Sequence, residues 1–466
     1  MMEQSLSQPL RNRTVGWIWL GVYSLLAAGL LSLCLALART PGVQDLFPGT
    51  DFFHVALVVH VDLSVLVWFM ACAGMVWTLF GRSRQSLMGT LAFGLAVLGA
   101  VMISIAPFIG ADRPLMNNYV PVLQHPWFFA GLAMLAVGVV LQAVDYLRGL
   151  SISFSQPDFT DMVRLALALA AVSTLIAVAA VAWTFFDLPL TVQGERYFEV
   201  LFWGGGHILQ FTNSVLVLVA WFLLGRASGS HAWLSPGIGM ALFALVVLPL
   251  IAVPWIYRQP VEADAAITEF TTLMRWGGLA TLPLGLAIGV GFIYRHNVPS
   301  HLQPLRAALL CSLTLFAAGG FLGFLIRGSN TMIPAHYHGS IVGVTLAFMG
   351  VVYYLLPKLG FTIKQRRLLY LQPYLFAGGQ LMHITGLAMS GGYGVQRKVA
   401  GADQMLSGFH ETLGMGMMGM GGLLAAVGGL CFLIIAISAL RGERILGQLP
   451  VLADHPLTTQ ATRSSS

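Results

Sequence analysis

The sequence predicts an all-α, polytopic membrane bundle of twelve transmembrane helices, and three observations predict it. Hydrophobic residues make up 57% of the 466 and charged residues only 9%, whereas a soluble globule needs about a quarter of its residues charged to cover its surface. Apolar runs of about 20 residues, enough to cross a ~30 Å hydrocarbon layer at 1.5 Å per residue, recur twelve times. Lysines and arginines fall unequally on the two sides of those runs. Soluble, disordered and fibrous classes are excluded. The net charge of +6 therefore belongs to the membrane faces, and no nucleic-acid partner is expected. The four cysteines, Cys34, Cys72, Cys311 and Cys431, lie far apart inside apolar runs, which leaves no disulfide framework, zinc spacing or covalent cofactor-attachment motif.

The spans follow in order. Val15–Ala38 comes after Arg11 and Arg13, as a signal peptide would, but its apolar run is too long for an h-region and no small-residue cleavage site follows. Phe52–Phe80 enters beside Asp51, and Leu87–Ala111 returns after Arg82 and Arg84. Pro126–Leu147 starts with Trp127 as an interfacial anchor and ends at Arg148; Val163–Phe186 runs from Arg164 to Asp187. Phe198–Leu224 begins beside Glu195, Arg196 and Glu199 and stops before Arg226. Gly237–Ile256 reaches Arg258, Phe270–Tyr294 ends at Arg295, and Leu305–Ile326 runs from Arg306 to Arg327. Ile333–Leu356 ends at Lys358, Leu369–Ser390 starts after Arg366 and Arg367, and Phe409–Leu440 ends at Arg441.

With the N-terminus inside, only Arg39, Arg113, Arg196, Arg258, Arg275, Arg327, Arg397 and Lys398 of the 24 basic residues fall outside or near the outer ends. Most acids, among them Asp45, Asp51, Asp112, Asp187, Glu262 and Asp264, also lie outside. The expected arrangement is a multi-pass protein of a bacterial inner membrane, surrounded by lipid, with both termini cytoplasmic. Residues 1–440 form one membrane domain, and 441–466 form a polar cytoplasmic tail ending in Ser-Ser-Ser.

Coordinating side chains at membrane depth are costly and so mark function. Of twelve histidines, His125, His231, His296, His301 and His455 fall in loops, and His54 and His410 lie near outer helix ends. His60, His207, His336, His338 and His383 lie inside spans. His60 follows Asp51 by nine residues, roughly 13 Å of helix. His207 lies eleven residues past Arg196, His336 and His338 open their span, and His383 precedes Tyr393 by ten. All five thus fall in the outer half of the bundle. His336 and His338 are two residues apart, a turn of about 200° on an α-helix, so their imidazoles leave opposite faces and serve two different groups. Imidazole is a standard axial ligand of haem iron, and the scarcity of buried carboxylates and chelating cysteines favours haem over zinc or calcium.

At these residues the chain resembles subunit I of the haem–copper oxidase superfamily, which includes oxygen reductases and nitric oxide reductases. IPAHYHGSIVGVTLAFMGVVYYLLPKL (Ile333–Leu359) resembles its tenth transmembrane helix, VVHVDLSVLVWF (Val58–Phe69) its second and LFWGGGHILQF (Leu201–Phe211) its sixth. GYGVQRKVAG (Gly392–Gly401) resembles the basic segment that meets haem propionates, and NNYVPVLQHPWFFAGL (Asn117–Leu132) is also similar. The resemblance implies two haems. His60 and His338 would be axial ligands of a low-spin haem, and His336 the proximal ligand of a high-spin haem that binds nitric oxide or oxygen. His207 matches a copper ligand, and Arg397 and Lys398 would pair with propionates, lysine lacking the bidentate fork of the family's second arginine. An electron-donor partner, a separate subunit or a periplasmic cytochrome or cupredoxin, would be required.

Two departures bear on function. The family holds its copper with three histidines, two of them adjacent on the seventh helix. Here ALFALVVLPLIAVPWIYRQP (Ala241–Pro260) places Tyr257-Arg258 at that point, and no His-His dipeptide exists. A metal, copper or non-haem iron, held by His207 alone would be labile; Tyr257 and Glu269 are the candidates to compensate, while Arg258 would repel a cation and donate instead to a haem-bound ligand or propionate. Phe211, four residues after His207, stands where many oxygen reductases carry a tyrosine. Asp62, just past His60, is a candidate proton relay or hydrogen-bond anchor. GMGMMGMGG (Gly414–Gly422) reads as a helix-packing stripe, not as thioether copper ligands. Two functions follow from the resemblance. In one, a terminal oxidoreductase passes electrons from the low-spin to the high-spin haem to reduce nitric oxide or oxygen, with His336, His207 and Tyr257 at the reacting centre. In the other, a catalytically altered homologue without a full copper site acts in haem-based electron transfer or gas binding.

Overall fold

The computed structural model describes residues 7–42, 50–81, 86–229, 234–294 and 298–442. Among them, eleven helices are long and apolar enough to cross a membrane. They are α1 Gln8–Leu37, α2 Phe52–Phe80, α3 Leu87–Ile109, α4 Pro126–Arg148, α5 Phe159–Asp187, α6 Gly194–Ala227, α7 Pro236–Ile256, α8 Asp264–Ile293, α9 Ser300–Phe324, α10 Met332–Lys358 and α12 Phe409–Arg441. The predicted span Leu369–Ser390 is helical as α11, Arg366–Gly392, but it is not among the eleven. Gln372, Gln380 and His383 are buried along it, so it faces the protein with polar groups that lipid would not tolerate. The polar tail from 443 onward, and Asp45, Arg82, Arg84, His231, Arg295 and His296, lie outside the described residues.

Helix ends carry the expected chemistry. Ser86 caps α3 by accepting from the Gly89 N–H at 3.2 Å, Asp158 and Asp161 form a capping box at α5, and Pro126 and Pro236 open their helices where a missing N–H costs nothing. Consecutive helices pack as pairs, most extensively α11 with α12, α9 with α10, α3 with α4 and α5 with α6, and α12 also packs against α1. Glycines set the closest approaches. A Cβ on Gly339 of α10 would lie 2.5 Å from the Gly319 Cα of α9, which no other residue permits. The Gly414–Gly422 stripe does the same for α11, with Gly414 and Gly421 seated against the backbone of Gly386, Gly379 and His383.

α6 and α10 form the centre. In their most apolar stretches 83% and 78% of residues are buried, against 22% for α8 at the rim. Trp68, Phe69, Phe348 and Phe432 pack edge to face in the core, while Phe186, Trp255, Leu286 and Phe321 point outward as lipid-facing side chains.

Candidate functional site

His60 sits on α2 just before a π-helical turn, Asp62–Val67. Its Nδ1 lies 2.9 Å from the Ala28 carbonyl of α1. A carbonyl only accepts, so Nδ1 carries the hydrogen and Nε2 keeps its lone pair. The π turn is a widened stretch of a kind found often at functional sites. Asp62, at its start, is buried, and neither carboxylate oxygen has a hydrogen-bond partner among the described residues.

On α10 the two histidines diverge as their spacing requires. His336 turns to α9, its Nδ1 2.8 Å from the Gly319 carbonyl and its ring in a notch that a Cβ on Gly323 would fill at 2.7 Å. His338 turns to α11, its ring edge-to-face with that of His383 at 4.8 Å. His60 and Arg39 lie near His338 as well. His383 is itself fixed, with Nδ1 2.8 Å from the Met418 carbonyl of α12.

His207 occupies an aromatic cage on α6. Its Nδ1 is 2.7 Å from the Trp203 carbonyl, and the Tyr119 and Trp203 rings lie 4.8 and 4.7 Å away. None of the residues expected to compensate for the absent histidine pair joins it. The Tyr257 hydroxyl is 3.1 Å from Thr184 Oγ1 and donates to the Ala180 carbonyl at 3.1 Å. Glu269 is exposed and accepts from Gln259 at 2.8 Å. Arg258 is exposed too, its guanidinium over the Trp255 ring at 4.8 Å. The Tyr257 hydroxyl packs against α6, 2.7 Å from where a Cβ on Gly204 would sit, whereas Arg258 at the end of α7 and Glu269 on α8 lie on exposed faces. Phe211 is buried against Gly277. Among the described residues, no three His, Cys, Asp or Glu side chains converge to hold a metal ion by themselves.

The helix ends near the histidines are tied together by a cap. A two-strand hairpin, β1 Pro114–Leu115 with β2 Val122–Leu123, presents Asn117, Asn118 and Tyr119 at its tip. Arg397 donates to Asn118 Oδ1 at 2.9 Å and to Ser329 at 3.3 Å, and Lys398 Nζ donates to the Asn117 carbonyl at 3.4 Å. Asn118 in turn donates to Glu199 of α6. Arg397 and Lys398 are thus built into the cap and are not solvated loop charges. Lys398 has φ 61°, a left-handed backbone that a non-glycine residue adopts only under constraint. Burial, reinforced by the Arg397 charge, pulls its ammonium below the ordinary lysine value.

Sequence reasoning missed Arg39 and Tyr119. Arg39 follows α1 and donates to the Gln396 carbonyl at 3.4 Å, and its Nε is buried without a hydrogen-bond partner among the described residues. Burial pulls this guanidinium down from its usual value. Its charge was legible, but its direction, inward beside Tyr337 and His338, was not.

No family model matches the chain. An uncharacterized protein of Rickettsia prowazekii (strain Madrid E) is 29% identical over 489 residues, covering 90% of this chain and 94% of its own length. An uncharacterized protein of Aquifex aeolicus (strain VF5) is 28% identical over 348 residues, covering 75% and 86%. A heme-copper terminal oxidase, solved as a dimer by cryo-EM, superposes with a TM-score of 0.74 over 94% of this chain and 85% of its own. The chain has the haem–copper oxidase fold. At 17% identity the likeness carries the fold alone, and the chemistry must be argued from the side chains.

Proposed function

We propose that this haem–copper oxidase-fold protein binds two haems and serves haem-based electron transfer and gas binding in the membrane, without a complete copper site. One observation carries the reading. His60 and His336 each engage a backbone carbonyl through Nδ1 and keep Nε2 free, while His207 belongs to no group of three His, Cys, Asp or Glu side chains among the described residues. Pinning one ring nitrogen on a carbonyl is how proteins orient a metal-ligating imidazole and fix its tautomer. Haem iron asks the protein for only one or two such ligands, because the porphyrin supplies the rest. Copper or non-haem iron asks for three or more, and these side chains do not supply them.

The donor set therefore fits haem. His60 and His338 would ligate a low-spin haem and His336 a high-spin one, with Arg39, Arg397 and Lys398 as cations for propionate carboxylates. When bound, haem supplies one-electron chemistry and a site for a diatomic ligand. The chain's residues orient, exclude water and neutralise charge: Gly319 and Gly323 hold the His336 ring in place, and the Asn118–Arg397–Ser329 links close the cap. Electrons would come from a separate donor.

Metal analysis of the purified protein tests this reading. Two irons and no stoichiometric copper are expected per chain, with a six-coordinate low-spin spectrum that His60→Ala or His338→Ala abolishes. An unaltered low-spin spectrum in His60→Ala would overturn it. The likeness to a terminal oxidase favours a second reading, reduction of oxygen or nitric oxide. One copper per chain, together with rapid anaerobic nitric oxide consumption or oxygen uptake, would put that reading in its place.

A further inference from the structure

We infer that His383 is a positioning residue that orients the His338 imidazole and tunes its strength as a ligand, an inference that rests on the haem reading above. Each of His60, His207, His336 and His383 has its Nδ1 on a backbone carbonyl. His338 has no hydrogen bond to its ring among the described residues. A ligating imidazole needs an acceptor on its second nitrogen to fix its rotation and raise its basicity. Two rings touch His338, those of Tyr337 and His383. Only His383 offers a nitrogen lone pair held from another helix, because its Nδ1–H is committed to the Met418 carbonyl at 2.8 Å and Nε2 must then be the acceptor.

The seat of His383 is rigid. Gly421 lies against its backbone, and a Cβ on Gly422 would come within 3.1 Å of its Nδ1, so any larger residue on this face of α12 displaces the ring. Gln380, one turn earlier on α11, donates to the His338 carbonyl at 3.4 Å, fixing α10 at the same height. The glycine stripe of α12 thus acquires a purpose beyond packing: it lets α11 come close enough to set the His383 ring beside that of His338.

Removing that acceptor should make the ligand a weaker donor and favour reduced iron. The purified, haem-loaded protein is compared with His383→Phe, His383→Gln and His338→Ala by haem-to-protein ratio, low-temperature EPR of the ferric low-spin centre and midpoint potential. His383→Phe should keep both haems, change the low-spin EPR signal and shift the reduction equilibrium tenfold or more toward the reduced form, about 59 mV for one electron. His383→Gln, whose amide N–H can reach the Met418 carbonyl while its oxygen faces His338, should restore most of the shift. A wild-type potential and EPR signal in His383→Phe would overturn the inference. So would loss of the six-coordinate spectrum in His383→Phe with its retention in His338→Ala, which would make residue 383 the ligand. If His383→Phe fails to hold haem, His383→Gln decides, a near-wild-type potential supporting the inference and a shifted one overturning it. An unaltered low-spin spectrum in His60→Ala, by contrast, sinks the haem reading itself.

Discussion

At the residue scale, the candidate site is marked by histidines whose Nδ1 is committed to a backbone carbonyl. Spacing alone separated His336 from His338, because two residues on a helix cannot face one group. It could not show which carbonyl each ring would meet, since Gly319, Ala28 and Met418 are distant in sequence and ordinary in type. Lys398 gives a residue-scale prediction whose sign can be worked out. Burial and the neighbouring Arg397 charge hold its ammonium below the ordinary lysine value, so the unfolded chain binds more protons than the folded one between the two pKa values, and stability rises with pH through that window. In protein stripped of haem, thermal unfolding of the wild type should gain on Lys398→Met as pH climbs from neutrality toward the usual lysine range. A carboxylate seated beside Lys398 favours its charge, so haem loading should flatten that rise, and an equal slope in loaded and stripped protein would exclude propionate contact there. His207→Ala should leave the haem-to-protein ratio unchanged, as measured by pyridine haemochrome, because His207 is not one of the proposed haem ligands.

At the element scale the sequence yielded almost every helix, because an unbroken apolar run of spanning length has few alternatives in a chain so poor in charge. α11 differs from the other spans in its polar content: Gln372, Gln380 and His383 are buried along it, and it packs most extensively against α12. The π turn at Asp62–Val67 left no mark in the sequence, since Leu, Ser and Val are as common in regular helix. The 3-10 stretch after Val247 left no mark either, since Pro249 permits it but does not announce it. Glycine contacts make the helix pairing testable. Gly319→Val, with its Cβ driven into the Gly339–Ser340 backbone, should cost at least the ~1–3 kcal/mol of an overpacked core and lower the detergent unfolding midpoint. Gly94→Val, with nothing within 4 Å of its Cβ, should leave that midpoint in place.

At the scale of the whole molecule, the histidines gather toward one end of the bundle because alternate helices are antiparallel. α2 and α6 carry theirs after their N-terminal ends, α10 near its start and α11 toward its close, and all of those ends meet under one cap. The structure shows the meeting directly. The Lys398 carbonyl lies 3.2 Å from His54 Nε2 on α2, Arg397 reaches the hairpin, and the hairpin reaches α6. On the positive-inside expectation, the excess of basic residues beyond the opposite ends would put the capped face on the outer side of the membrane. Electrons delivered at that face would travel only the outer part of a ~30 Å hydrocarbon layer, whereas electrons from the cytoplasmic side would have to pass the aromatic core around Trp68, Phe348 and Phe432. In right-side-out vesicles carrying the haem-loaded protein, a membrane-impermeant reductant should therefore reduce the low-spin haem promptly, and in inverted vesicles only slowly. Prompt reduction confined to the inverted vesicles would reverse the topology that the charges imply and place the cap, with Arg39, Arg397 and Lys398, in the cytoplasm.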